Sequence, residues 1–87
     1  MTASPAPRPT FYNVLRLWPN LAVLARDIDF DPERVRQWYK RDWIPPEWFP
    51  RVLQAAERRG YALSLPELIG IASAIAEARE AERKGAA

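Results

Sequence analysis

Between Asp31 and Asp42 lies Pro-Glu-Arg-Val-Arg-Gln-Trp-Tyr-Lys-Arg, a concentration of side chains capable of directed polar chemistry. From Arg34 to Arg41 it carries Arg34, Arg36, Lys40 and Arg41 and no acidic residue. A guanidinium offers paired planar donors that match anions, and an ammonium acts as a point charge. The whole chain is nearly neutral, with 13 basic and 11 acidic residues among 87 and a net charge of +2. A local basic run on that background points to one directed anionic contact, not to a general polycation.

Composition excludes other chemistries. There is no cysteine and no histidine. Disulfide scaffolds, thiol catalysis, Cys/His zinc sites and mechanisms with a histidine base are therefore ruled out. Glu77 and Glu80 are close enough in sequence to pair, but no neighbour is expected to raise a carboxyl pKa or form a cleft. No catalytic constellation is visible, so the expectation is a protein that is not an enzyme. No cofactor, metal or small-molecule ligand is expected. No run approaches the roughly 18 apolar residues of a membrane helix, and Met1 to Pro9 lacks the apolar centre of a signal peptide.

The elements that must position the basic run can be read from apolar spacing. Apolar residues make up 48% of the chain, enough for one core. A single core of this size is marginally stable, and burial in a dimer would help it. Residues 1–9 are Pro- and Ala-rich and read as a flexible tail, residues 10–84 as one helical domain, and residues 85–87 as a disordered end. Thr10 is the expected N-cap of a first helix through Phe11, Val14, Leu15 and Trp18, halted by Pro19. Asn20 caps a second helix, Leu21 to Ile28, with Leu21, Leu24, Ala25 and Ile28 inward and Arg26 and Asp27 outward. Asp31 caps a third, with Pro32 at its first position, running to about Arg41 with Val35 and Trp38 inward. A fourth starts at Pro46 and ends at Arg58-Arg59-Gly60, cations followed by a left-handed glycine. Ser64-Leu-Pro-Glu67 is a capping box for a last helix, Leu65 to about Lys84. No segment alternates like a strand, so the fold class is all-α, with about five short helices.

Leu21 to Trp38 has helix-turn-helix spacing, and the motif spans about 20–41. Ala25 is small where the two helices cross. Asp29, four residues on, tolerates positive φ better than most residues. Leu24, Ile28, Val35 and Trp38 are spaced to lock one helix on the other. The stretch Ala25-Arg-Asp-Ile-Asp-Phe-Asp-Pro-Glu-Arg-Val-Arg-Gln-Trp resembles the lambda-repressor/Cro class of helix-turn-helix proteins. Its continuation, Tyr39-Lys-Arg-Asp-Trp-Ile-Pro-Pro-Glu-Trp, is similar to small phage- and prophage-type regulators of that class. The resemblance covers roughly Phe11 to Ala72, and Asp29 stands where the class usually has glycine.

The resemblance implies a lambda-repressor-like bundle whose third helix enters the major groove of double-stranded DNA by its N-terminal half. Carried over by position, the base-facing residues are Pro32, Glu33, Arg36 and Gln37. Arg36 suits O6 and N7 of guanine, Gln37 suits N6 and N7 of adenine, Glu33 accepts from the cytosine amino group, and Pro32 can touch a thymine methyl. Arg34, Tyr39, Lys40 and Arg41 are assigned to phosphates, together with Asn20 and the amides beside it. Arg8 in the tail could reach a groove or the backbone.

The expected function is a sequence-specific transcriptional regulator. It would act as a repressor occupying a palindromic operator, and would be cytoplasmic, nucleoid-associated when bound. A homodimer is expected because one helix reads only a few base pairs, with Leu68, Ile71 and Ile75 of the last helix as its seam. That helix could equally be the lid of the core. Trp18, Trp38 and Trp48 read as core, whereas Trp43 and Tyr39 could lie against a phosphate or a partner. Arg58 and Arg59 read as partners of a helix dipole. The alternatives are a helical protein-interaction adapter, or an architectural or recombination accessory protein.

Overall fold

The computed structural model of the chain describes residues 10–85; the expectations for the 1–9 tail, including Arg8, and for residues 86–87 lie outside them. The described residues form an all-helical bundle. Its elements are α1 (Tyr12–Leu15), α2 (Leu21–Asp27), α3 (Pro32–Arg41), a short 3-10 turn (Pro46–Trp48), α4 (Phe49–Arg58) and α5 (Leu65–Gly85). No helix among the described residues is long and apolar enough to cross a membrane.

α1 is shorter than its apolar spacing predicts. After Leu15 the backbone tightens to i→i−3 bonds, Leu17 N–H to Val14 O and Trp18 N–H to Leu15 O, as Pro19 approaches. Phe11 holds the N-cap position without a side-chain bond. Thr10 still serves the helix start, since its hydroxyl accepts from Tyr12 N–H at 3.2 Å. α5 extends to Gly85, so the first of the three residues expected to be disordered is helical. Half of the expected capping box is formed at its start, with Glu67 N–H on the Ser64 hydroxyl, while the Glu67 carboxylate accepts from that hydroxyl instead of the Ser64 backbone N–H.

Three helices end in the same way. Asp29 (φ 56°), Asp42 (φ 52°) and Gly60 (φ 75°) are left-handed. After each, an aromatic residue's N–H reaches back five residues. Phe30 bonds to Ala25 O, Trp43 to Trp38 O and Tyr61 to Ala56 O. This double-bonded terminus satisfies carbonyls that the helix end would otherwise leave unpaired. The three aromatic rings fold back onto the core.

The core is Phe11, Leu15, Leu24, Val35, Ile44, Val52 and Leu68, each essentially inaccessible, with Trp18 and Trp38 also buried. Ala25 is fully buried where α2 and α3 pack together. Trp48 is half-buried, not fully enclosed. It stacks on Phe30 with ring centroids 4.0 Å apart. Trp43 meets Phe11 edge-to-face at 5.9 Å and lies under the Arg79 guanidinium at 5.5 Å. Packing thus accounts for both rings.

Asp27 was expected to face solvent and Arg59 to serve the α4 dipole. Instead Asp27 Oδ2 accepts from the indole N–H of Trp18 at 2.9 Å, and the carboxylate pairs with Arg59. The side chain is half-covered because Trp18 must bury its ring and still satisfy its N–H. This arrangement ties the α1–α2 turn to the end of α4.

Arg59 and the Trp18 N–H together hold the Asp27 carboxyl below its ordinary value of 3.8. The folded state therefore binds a proton less readily than the unfolded chain. The resulting stability is complete above the ordinary carboxylate value and is lost as pH falls through the lower folded value. Asp27→Asn should be less stable than the native chain at neutral pH, with the difference shrinking below about pH 4, as urea titrations at two pH values will show. Trp38→Ala should cost about 3–5 kcal/mol, read from the same titration at neutral pH.

Candidate nucleic-acid interface

α3 begins and ends by side-chain rules already visible in its sequence. Asp31 Oδ1 accepts from Glu33 N–H at 2.9 Å, and Pro32 supplies a preset φ at the first position. Glu33 sits at the positive dipole end, Lys40 and Arg41 at the negative end. Val35 and Trp38 are buried, and every other α3 residue is exposed. At 100° per residue, Glu33, Arg36, Gln37 and Lys40 share the face opposite Val35 and Trp38. Three of the four expected base-facing side chains are therefore presented together, with Lys40 continuing their stripe. Pro32 lies on one edge of it.

The flanks differ. On one, Tyr39 lies against Tyr12 with ring centroids 5.0 Å apart and is 36% exposed. On the other, Arg34 and Arg41 border a recess lined by Phe30, Trp43 and Trp48. The carbonyl of Arg41 accepts from Arg79 at 2.6 Å, which braces the end of α3 against α5. Glu33 and Arg36 pair across one turn at 3.0 Å, with side chains 66% and 56% exposed. Such a pair is weak in water and opens readily.

A residue that sequence reasoning missed holds this helix in place. Asp42 read only as part of a break after α3. Its carboxylate accepts from the Thr10 hydroxyl at 2.7 Å and from Phe11 N–H at 2.8 Å. One residue thus turns the chain out of α3 and pins the start of α1. The available signal was its likeness to Asp29, an aspartate followed by an aromatic at the end of a helix.

Asn20 is at the start of α2 as expected, but its Oδ1 accepts from Val23 N–H at 2.9 Å. One of the amide donors assigned to a phosphate is thereby taken by the cap itself. Two of the three residues expected at the dimer seam are covered by the chain's own core. Leu68 is 0% and Ile75 9% exposed, and Ile71 is packed against the core. Leu68 and Ile75 are thus enclosed by the chain itself and make α5 a lid of the core at those two positions, while Ile71 is half-buried. The large apolar side chains that it leaves exposed are Leu65 and Ile69.

Comparison with family models, curated proteins and solved structures finds no match to this chain. Asn20→Ala should lower stability by about 1 kcal/mol through the lost cap, measurable by thermal or urea unfolding without any ligand.

Proposed function

We propose that the protein reads double-stranded DNA sequence-specifically through α3 and regulates transcription as a lambda-repressor/Cro-like repressor. The observation that carries this reading is the outward face of α3, where Glu33, Arg36, Gln37 and Lys40 are presented side by side. The buried Val35 and Trp38 opposite leave that helix no freedom to roll. An arginine and a glutamine can each make two hydrogen bonds to a purine edge in the major groove, and a glutamate can accept from cytosine. Lys40, Arg41, Arg34 and Tyr39 surround that set and suit the phosphates on either side. A homodimer on a palindromic site supplies the information that one helix lacks. With Leu68 and Ile75 enclosed, a second copy would have to meet other surface.

Selection of bound sites from a random duplex library, followed by binding to the best site at two salt concentrations, tests the reading. An enriched palindrome with steep salt dependence is expected. Salt-sensitive binding without enrichment would indicate an architectural protein, and no binding would indicate a protein-interaction module. On the selected site, Arg36→Ala should cost about 1–3 kcal/mol and relax preference at one base position, while Lys40→Ala weakens all sequences alike. An unchanged site preference in Arg36→Ala would show that α3 docks in another register.

A further inference from the structure

Phe30 and Trp48 form a tilted stack beside α3, with ring centroids 4.0 Å apart, and each ring carries an arginine. The Arg34 guanidinium lies 5.8 Å from the Phe30 centroid, and that of Arg51, in the first turn of α4, lies 4.9 Å from the Trp48 centroid. Both arginines are exposed. Among the described residues the ion pairs are Arg36–Glu33, Arg59–Asp27 and Lys84–Glu80, so neither Arg34 nor Arg51 has a carboxylate partner. Glu47 and Asp29 border the recesses around Arg51 without reaching ion-pair distance. Arg51 makes a single long bond, to Ile28 O at 3.4 Å.

A guanidinium held over a ring is ordered without using the N–H donors on its edge. The entropy cost of fixing a long side chain is then met before any ligand arrives. The edge of Arg34, and the donors of Arg51 outside its long bond to Ile28 O, remain available for a contact to phosphate oxygens. The position of the array indicates which phosphates. A helix about 10–12 Å across fills a major groove about 12 Å wide, so side chains on its flanks are pressed toward the strands bordering the groove. Arg34 is on such a flank, and the stack extends that flank to Arg51 on a different helix.

We propose that Arg34 and Arg51, ordered by the Phe30–Trp48 stack, clamp the phosphodiester backbone beside the groove that α3 enters. This rests on the reading of α3 as a duplex-binding helix. The clamp adds a contact from outside the helix-turn-helix segment, and gives the aromatic cluster a role in affinity as well as in packing.

The test is the full chain on its best selected duplex, with the binding constant followed across salt concentrations. Arg51→Ala should lower the slope of log K against log salt by about 0.9, the value of one lost phosphate contact, and leave base preference intact. Arg51→Lys keeps the charge and should keep the slope, yet bind several-fold more weakly for lack of a stacked planar edge. Trp48→Leu should weaken binding in the same way with every charge in place. Circular dichroism melts identify any variant that fails to fold, and the exposed Arg51 pair of variants suffices if Trp48→Leu does.

A native slope in Arg51→Ala, while Arg36→Ala still loses base preference, would overturn the clamp and leave the DNA reading standing. Native affinity in both Arg51→Lys and Trp48→Leu would overturn the stacked geometry. Arg51-dependent capture of polyglutamate in place of duplex would overturn the phosphodiester assignment, and absence of any duplex binding would remove the clamp together with the reading beneath it.

Discussion

The fold turns on backbone held at positive φ. At Asp29 the chain leaves α2 and doubles back so that α3 can lie across it, and at Asp42 it leaves α3 in the same left-handed conformation. A residue with a Cβ pays a conformational cost there that glycine does not. Aspartate bears it more easily than most, and here each turn also gains two backbone hydrogen bonds and a half-buried aromatic ring packed on the core. With both ends of α3 held in this way, its polar face is presented in one orientation.

The division of labour among charged residues follows from that. Asp31 caps α3, Asp42 pins α1 to the end of α3, and Asp27 satisfies Trp18 and Arg59. These carboxylates are committed to the scaffold, each holding donors that would otherwise be unpaired. The cations of α3 are not so committed. Arg34, Arg36, Lys40 and Arg41 point outward, and their one carboxylate partner among the described residues is the exposed Glu33. A chain of low net charge can therefore present a locally basic helix face, because the aspartates at the two ends of α3, Asp31 and Asp42, are engaged in scaffold hydrogen bonds.

The tryptophans show the limits of reading a side chain from its type. Trp18 and Trp38 are core, as apolar spacing predicts. Trp48 and Trp43 are only half-buried, but their rings are covered by Phe30, Phe11 and the guanidinium groups of Arg51 and Arg79. None of those neighbours is near in sequence to the ring it covers, except for Arg51. Helical spacing along one segment carries no information about which ring another segment will lay upon it.

The sequence by itself determined an all-helical chain, the caps of α2 and α3 at Asn20 and Asp31, the left-handed turn at Asp29 and the face that α3 presents. All of these are local, set by φ preferences, by hydrogen bonds within a few residues and by the 3.6-residue period. Only the tertiary structure decided that Asp42 would hold Thr10 and Phe11, that Asp27 would meet Arg59, and that Leu68 and Ile75 would be enclosed within one protomer. An apolar stripe on a helix states that something must cover it. Whether the cover is the same chain or a second copy depends on the angle at which distant helices cross, and that angle is set by packing many side chains at once.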